Sequence, residues 1–143
     1  MPTLNVYLYF KGNCENAFDF YKTIFGGEYE YIGRYKDVPK EVRDENFPYC
    51  TDEQIMHISL PISKETVLMG ADMIHLDEQI SESKKTFSLY VRTDNKKEGE
   101  RVFNALSADG DIVVPFDHQF WGSYYGLCID KFGISWKIGC INE

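Results

Sequence analysis

Positive charge is the minority in this sequence. Fifteen Lys and Arg stand against 23 Asp and Glu, a net charge of −8 at pH 7. A general nucleic-acid binder needs the opposite balance, because Lys and Arg must displace phosphate counterions, so no nucleic-acid partner is expected. Long apolar runs are also missing: nothing approaches the roughly 20 residues of a membrane span. Residues 1–10, "MPTLNVYLYF", lack the basic start of a signal peptide. The expectation is a cytoplasmic protein with no membrane partner. The four cysteines, Cys14, Cys50, Cys128 and Cys140, form no CxxC pair, which argues against a zinc knuckle or a thioredoxin motif. In a reducing compartment they read as free thiols, with Cys128 and Cys140 as small core residues. Histidine is scarce, with only His57, His75 and His118.

Aromatic side chains are plentiful: ten Tyr, ten Phe and two Trp in 143 residues. That length favours one domain, and folding at this size buries roughly 68–70% of the unfolded chain's surface, enough for a core without staples. Val6, Leu8 and Phe10 alternate with polar and tyrosine positions, which predicts a strand. Asn13 is placed to cap a helix carrying Ala17, Phe20, Tyr21 and Ile24, and Gly26–Gly27 end it. Strands are predicted over 28–35, 54–62 and 66–70, with a loop or short helical turn at 37–53 and an irregular link over 71–84. The pattern then restarts. A strand is predicted over 85–92, followed by a helix capped by Asp94 or Asn95 with Gly99, Val102, Phe103 and Leu106 on one side. Strands follow at 111–116, about 122–129 and 134–139, with a turn from Asp130 to Gly133.

An offset of 82 superposes the two helices: Asn13 on Asn95, Ala17 on Gly99, Phe20 on Val102, Tyr21 on Phe103, Ile24 on Leu106. Each half reads strand, helix, three strands, the signature of a duplicated module. Alternation assigns Val6, Leu8, Phe10, Ile58, Leu60, Phe87, Leu89, Val91, Trp136 and Ile138 to the helix-facing side. The opposite side receives Asn5, Tyr7, Tyr9, His57, Ser59, Thr86, Ser88, Tyr90, Arg92, Ser135 and Lys137. Polar groups set among tyrosines are the composition of a surface that holds a small molecule, although a solvated sheet face reads the same way.

The stretches "YLYFKGNCENAFDFYKTIFGGE", "IMHISLPI", "FNALSADGDIVVPF" and "FWGSYYGLCIDKFGISWKI" resemble the PhnB-like branch of the vicinal oxygen chelate superfamily, the glyoxalase and bleomycin-resistance fold. The resemblance covers nearly the whole chain. It implies an α+β fold of two βαβββ modules, 1–72 and 84–143, in one glyoxalase-like domain whose curved mixed sheet surrounds a cleft. It also implies a homodimer. Gly126, Gly133 and the Asp130 turn would set the last hairpin, and Trp136 would pack under a helix. Trp121, Tyr124, Tyr125 and His118 would lie at a sheet end, at a cleft rim or a dimer contact.

Enzymes of that superfamily hold a divalent metal with His and Glu from four strand positions, and the metal acts as a Lewis acid. Those positions fall here at Asn5, near Met69, at Thr86 and at Lys137. A lysine is a poor fourth corner, since unit charges about 4 Å apart repel by roughly 4 kcal/mol at an effective dielectric of 20. No metal or other cofactor is therefore expected. Some members of the branch bear the name of a ubiquinone-pathway methyltransferase. The usual methyltransferase needs a glycine-rich loop after the first strand of a parallel sheet, whereas Gly26–Gly27 follow a helix.

Three functions remain. One is a small-molecule-binding protein, with Tyr7, Tyr9, Ser59, Tyr90, Arg92, Trp121, Tyr124 and Lys137 as ligand-binding candidates. Its net charge favours a cationic guest unless Arg92 and Lys137 both point into the site. The second is a lyase- or isomerase-like enzyme with a rearranged metal site or none, using His57 as general base. The third is a structural or regulatory dimer with a vestigial cleft.

Overall fold

The computed structural model describes residues 2, 4–73, 87–119 and 122–141. They fall into two compact units, Met1–Ile80 and Ser81–Glu143. The stretches holding His75, Thr86 and Trp121 lie outside the described residues.

In the first unit, β1 (Val6–Phe10) leads into α1 (Cys14–Phe25) and β2 (Tyr31–Arg34). A 3-10 turn (Tyr35–Asp37) and a short helix, α2 (Lys40–Asn46), precede β3 (Ile55–Pro61) and β4 (Val67–Asp72). The sheet order is β1-β4-β3-β2, with β1 parallel to β4 and the other pairs antiparallel. Helix α1 buries Cys14, Ala17, Phe18, Tyr21 and Ile24. That stripe corrects the expected one at a single position: Phe18, not Phe20, is fully buried, its ring set edge-on to Phe10 with centroids 6.2 Å apart. Leu8, Phe10, Ile58, Leu60 and Leu68 complete the core of this unit.

The second unit repeats the plan. β5 (Leu89–Arg92) is followed by α3 (Lys96–Ser107), β6 (Asp111–His118), β7 (Ser123–Ile129) and β8 (Ser135–Ile141), in the order β5-β8-β7-β6. β5 runs parallel to β8, and β8-β7-β6 are antiparallel. Gly99, Val102, Phe103 and Leu106 are the buried stripe of α3, as the spacing predicts. Trp136 and Ile138 are buried, but Phe87 is 54% exposed rather than in the core, because β5 begins two residues beyond it. Helices α1 and α3 are each 12 residues long, and their first residues, 14 and 96, differ by 82, the offset read from the sequence. The fold is α+β, built of two βαβββ modules.

Two buried carboxylates fix the loops of this scaffold. The side chain of Asn95 caps α3 as predicted, accepting from the Glu98 N–H at 2.8 Å. Asn13 makes no such bond. Asp72, at the end of β4, takes over: Oδ1 accepts from the N–H groups of Gly12 (2.8 Å) and Cys14 (3.0 Å), and Oδ2 from that of Ile55 (2.8 Å). In the second unit Asp130 accepts from the N–H groups of Phe132 and Ile134 and from Trp136 Nε1 at 2.8 Å. The β7–β8 turn and the buried indole are thereby tied to one side chain, with Gly133 at φ +90° closing the turn. Gly126 is not part of that turn; it lies inside β7, where a Cβ would stand 2.7 Å from the Phe103 ring.

Candidate functional site

Each sheet turns one side to its helix, and alternation sends the intervening residues to the other, open side. On the first sheet the open side carries Tyr7 and Tyr9 from β1, Met69 from β4, His57 from β3 and Tyr31 from β2. Tyr7 pairs with Met69, Met69 with Ser59, and Ser59 with Tyr31, one row across all four strands. Tyr7 Oη and His57 Nδ1 are 2.9 Å apart. The His57 ring stands 5.5 Å from that of Tyr7 and 5.8 Å from that of Tyr31, and Tyr7 and Tyr9 are 5.2 Å apart. Burial, then the neighbouring Tyr9 and Cys14, push the Tyr7 phenol up to about 12. Ser59 is only 3% exposed, and its hydroxyl donates to Glu30 Oε1 at 3.1 Å. That bond engages Ser59 with Glu30, and among the described residues no hydrogen bond joins its hydroxyl to His57, so no nucleophile, base and orienting acid form a linked set here.

The open side of the second sheet is different in kind. Tyr90 and Lys137 are direct partners across β5 and β8, and Leu127 flanks Lys137 from β7. Lys137 Nζ lies 5.2 Å from the centroid of the Tyr125 ring. Arg92 follows Tyr90 on the same side, and Ser88 and Ser135 share a 2.6 Å hydrogen bond. Gly139 is what lets Tyr90 lie across the strand, since a Cβ there would stand 2.5 Å from the tyrosine oxygen. Tyr90, Ser123, Tyr124, Tyr125 and Lys137 line a pocket of about 310 Å³. That is the lower end of the volumes that take small molecules, roughly 300–1,000 Å³.

The structure thus groups Tyr7, Tyr9 and His57 on one sheet, and Tyr90, Arg92 and Lys137 on the other. The Tyr124 ring goes to the helix side instead, stacked on Phe116 at 6.0 Å and edge-on to His118 at 5.3 Å. Its neighbour Tyr125 supplies the ring beside Lys137. The register decides it: Cys128 pairs with buried Trp136, so even-numbered positions of β7 face the helix and odd ones do not. Tyr31 and Ser123 escape the sequence reading because the alternation of 28–35 does not say which side faces the helix, and Ser123 stands at the first position of β7.

A family model described as 3-demethylubiquinone-9 3-methyltransferase matches residues 2–139. The chain belongs to this family, the PhnB-like branch of the vicinal oxygen chelate superfamily. Protein YjdN of Escherichia coli (strain K12) is 31% identical over 148 residues, which span 100% of this chain and 97% of that one. The PhnB protein from Bacillus cereus, whose name also carries the methyltransferase description, superposes with a TM-score of 0.74 at 26% identity, covering 97% of this chain and 99% of that one. A glyoxalase-related enzyme from Fulvimarina pelagi shares the fold at TM-score 0.61 and 16% identity, covering 97% and 88%. The methyltransferase in the family's description is not supported by this architecture. Neither sheet is parallel throughout, and the Gly26–Gly27 pair ends α1 rather than opening it.

The metal positions of the superfamily's enzymes fit poorly. Asn5 offers a neutral amide, Met69 a soft thioether, and Lys137 an ammonium against an aromatic ring; Thr86 is outside the described residues. Among the described residues no three His, Cys, Asp or Glu side chains gather as a metal-ligand group. Likewise, no described helix is long and apolar enough to cross a membrane.

Proposed function

We propose that this PhnB-like protein binds a small molecule without a resident metal, and that the pocket beside Lys137 is part of its binding site. The observation that carries the reading is the pocket itself. Three tyrosines and a serine line it together with one ammonium group, in a volume suited to a single small ligand. Aromatic walls supply contact area at low entropic cost, and one fixed charge supplies orientation. The homodimer implied by the family resemblance, and the cytoplasmic location expected from the sequence, are part of the same reading. A chemical step with His57 as base is not favoured, since that ring is engaged by Tyr7 and the Ser59 hydroxyl by Glu30.

Thermal unfolding in the presence of a panel of charged and neutral aromatic molecules tests the reading. At least one class should raise the midpoint by several degrees, as a ligand at about 100 times its Kd adds about 2.7 kcal/mol. The gain should shrink in a Tyr90→Ala/Tyr125→Ala double variant. A panel with no effect on the wild-type protein, or an effect equal in the double variant, removes the pocket as the binding site.

A further inference from the structure

Four cations are half-buried among the described residues: Lys22, Arg34, Arg43 and Lys137. Lys22 pairs with Glu28, Arg34 with Glu15 and Arg43 with Asp52. Lys137 has no carboxylate partner among the described residues, and its ammonium lies against the Tyr125 ring. A cation withdrawn partly from water and left without an anion is an incomplete arrangement, because its lost hydration is only partly replaced by a ring face.

The charges around it point the same way. Arg92 lies on the same side of the sheet, beyond Tyr90, and has no ion pair among the described residues. The acids on this side stand off. Asp117 is opposite Tyr125, two strands from Lys137, and turns Oδ1 onto the His118 N–H at 2.7 Å. Asp111 is opposite Ile129 at the far end of β6. The chain's net negative charge does not reverse this local sign. Exposed charges are screened beyond about 8 Å at physiological ionic strength, whereas the Lys137 ammonium is at the pocket wall.

Taking the pocket as the binding site, we propose that its ligand is a planar aromatic carboxylate. The carboxylate pairs with Lys137, and the ring lies against Tyr90 and Tyr125. The pocket volume of about 310 Å³ suits one or two fused rings with their anionic group. Arg92 adds attraction from the rim, and the Ser123 hydroxyl is a second donor at the wall.

Titration calorimetry of the full chain with 2-naphthoate, 2-naphthamide and 2-naphthyltrimethylammonium decides the matter. Naphthoate should bind at least tenfold more tightly than the neutral amide and weaken as salt is raised. Lys137→Gln should lose that tenfold, while Lys137→Arg keeps most of it. Retained binding in the arginine variant shows that the position tolerates substitution and that the loss is one of charge. Equal binding of naphthoate and naphthamide, unchanged naphthoate binding in Lys137→Gln, or preference for the quaternary ammonium would overturn the carboxylate assignment while leaving the pocket as a binding site. Binding of none of the three would sink both.

Discussion

Asp72 performs for α1 the task that the sequence pattern gives to Asn13. A capping residue is sought next to the helix it caps, so a carboxylate 58 residues from Cys14 in sequence carries no local signal. The N–H donors of Cys14 and Ile55 are buried and that of Gly12 is at a part-buried bond, and Asp72→Ala would remove the acceptor of all three. Loss of about 3 kcal/mol or more is expected in urea unfolding, on the scale of about 1–3 kcal/mol per orphaned buried group. Tyr7 gives a pH prediction. Its folded value of about 12 exceeds the ordinary 10.0, so the folded state holds the phenolic proton more tightly. The associated stability is complete below pH 10 and disappears as pH rises from 10 toward 12. Tyr29 and Tyr35 are raised as well, so ultraviolet titration should show several late tyrosines, with one fewer in Tyr7→Phe. The thiols behave similarly: all four cysteines are free and buried, and burial together with the nearby Asp130 charge raises Cys128 to about 11. At pH 8 a thiol reagent should label none in the native protein and all four in denaturant.

At the scale of elements, the helices were the most legible part. Apolar side chains recur at helical spacing over 12 residues in each, and the offset of 82 survives intact in the structure. Residues 37–53 were less so: the charged 40–46 segment has no apolar stripe, and nothing in it is buried, so α2 leaves no periodic trace. The strands were placed to within a few residues, but which side of β7 each tyrosine takes depended on knowing its register with β8. Packing between helix and sheet turns on two glycines. A Cβ at Gly70 would stand 2.7 Å from the Phe18 ring and 2.8 Å from the Leu8 carbonyl oxygen, and one at Gly126 would press on Phe103 and the Phe116 backbone. Each helix seats one phenylalanine over a bare stretch of sheet. Gly70→Ala and Gly126→Ala should each cost about 1–3 kcal/mol, as overpacked cores do. Gly139→Ala meets only the mobile end of Tyr90, so it should disturb ligand binding more than stability.

For the molecule as a whole, family and fold were readable from the duplicated pattern and the "FWGSYYGLCIDKFGISW" segment, while the binding chemistry was only partly so. Arg92 and Lys137 could be placed on one face by alternation. That Lys137, alone among the described half-buried cations, has no carboxylate partner among the described residues is a tertiary fact, invisible until Arg34 and Arg43 are seen with their acids. The same lysine argues against inherited metal chemistry. Protein stripped with EDTA should show no stoichiometric micromolar binding of zinc, nickel or manganese by calorimetry, and His57→Ala should change nothing. Stoichiometric binding abolished by that substitution would restore a metal site on the first sheet.

The most direct measurement is a two-dimensional amide NMR titration of the labelled protein with 2-naphthoate. The largest saturable shifts should fall on Ser123, Tyr125, Lys137 and Gly139, which line or adjoin the pocket. Saturable shifts confined to Tyr7, His57 and Tyr31, or none anywhere, would contradict the pocket as the binding site.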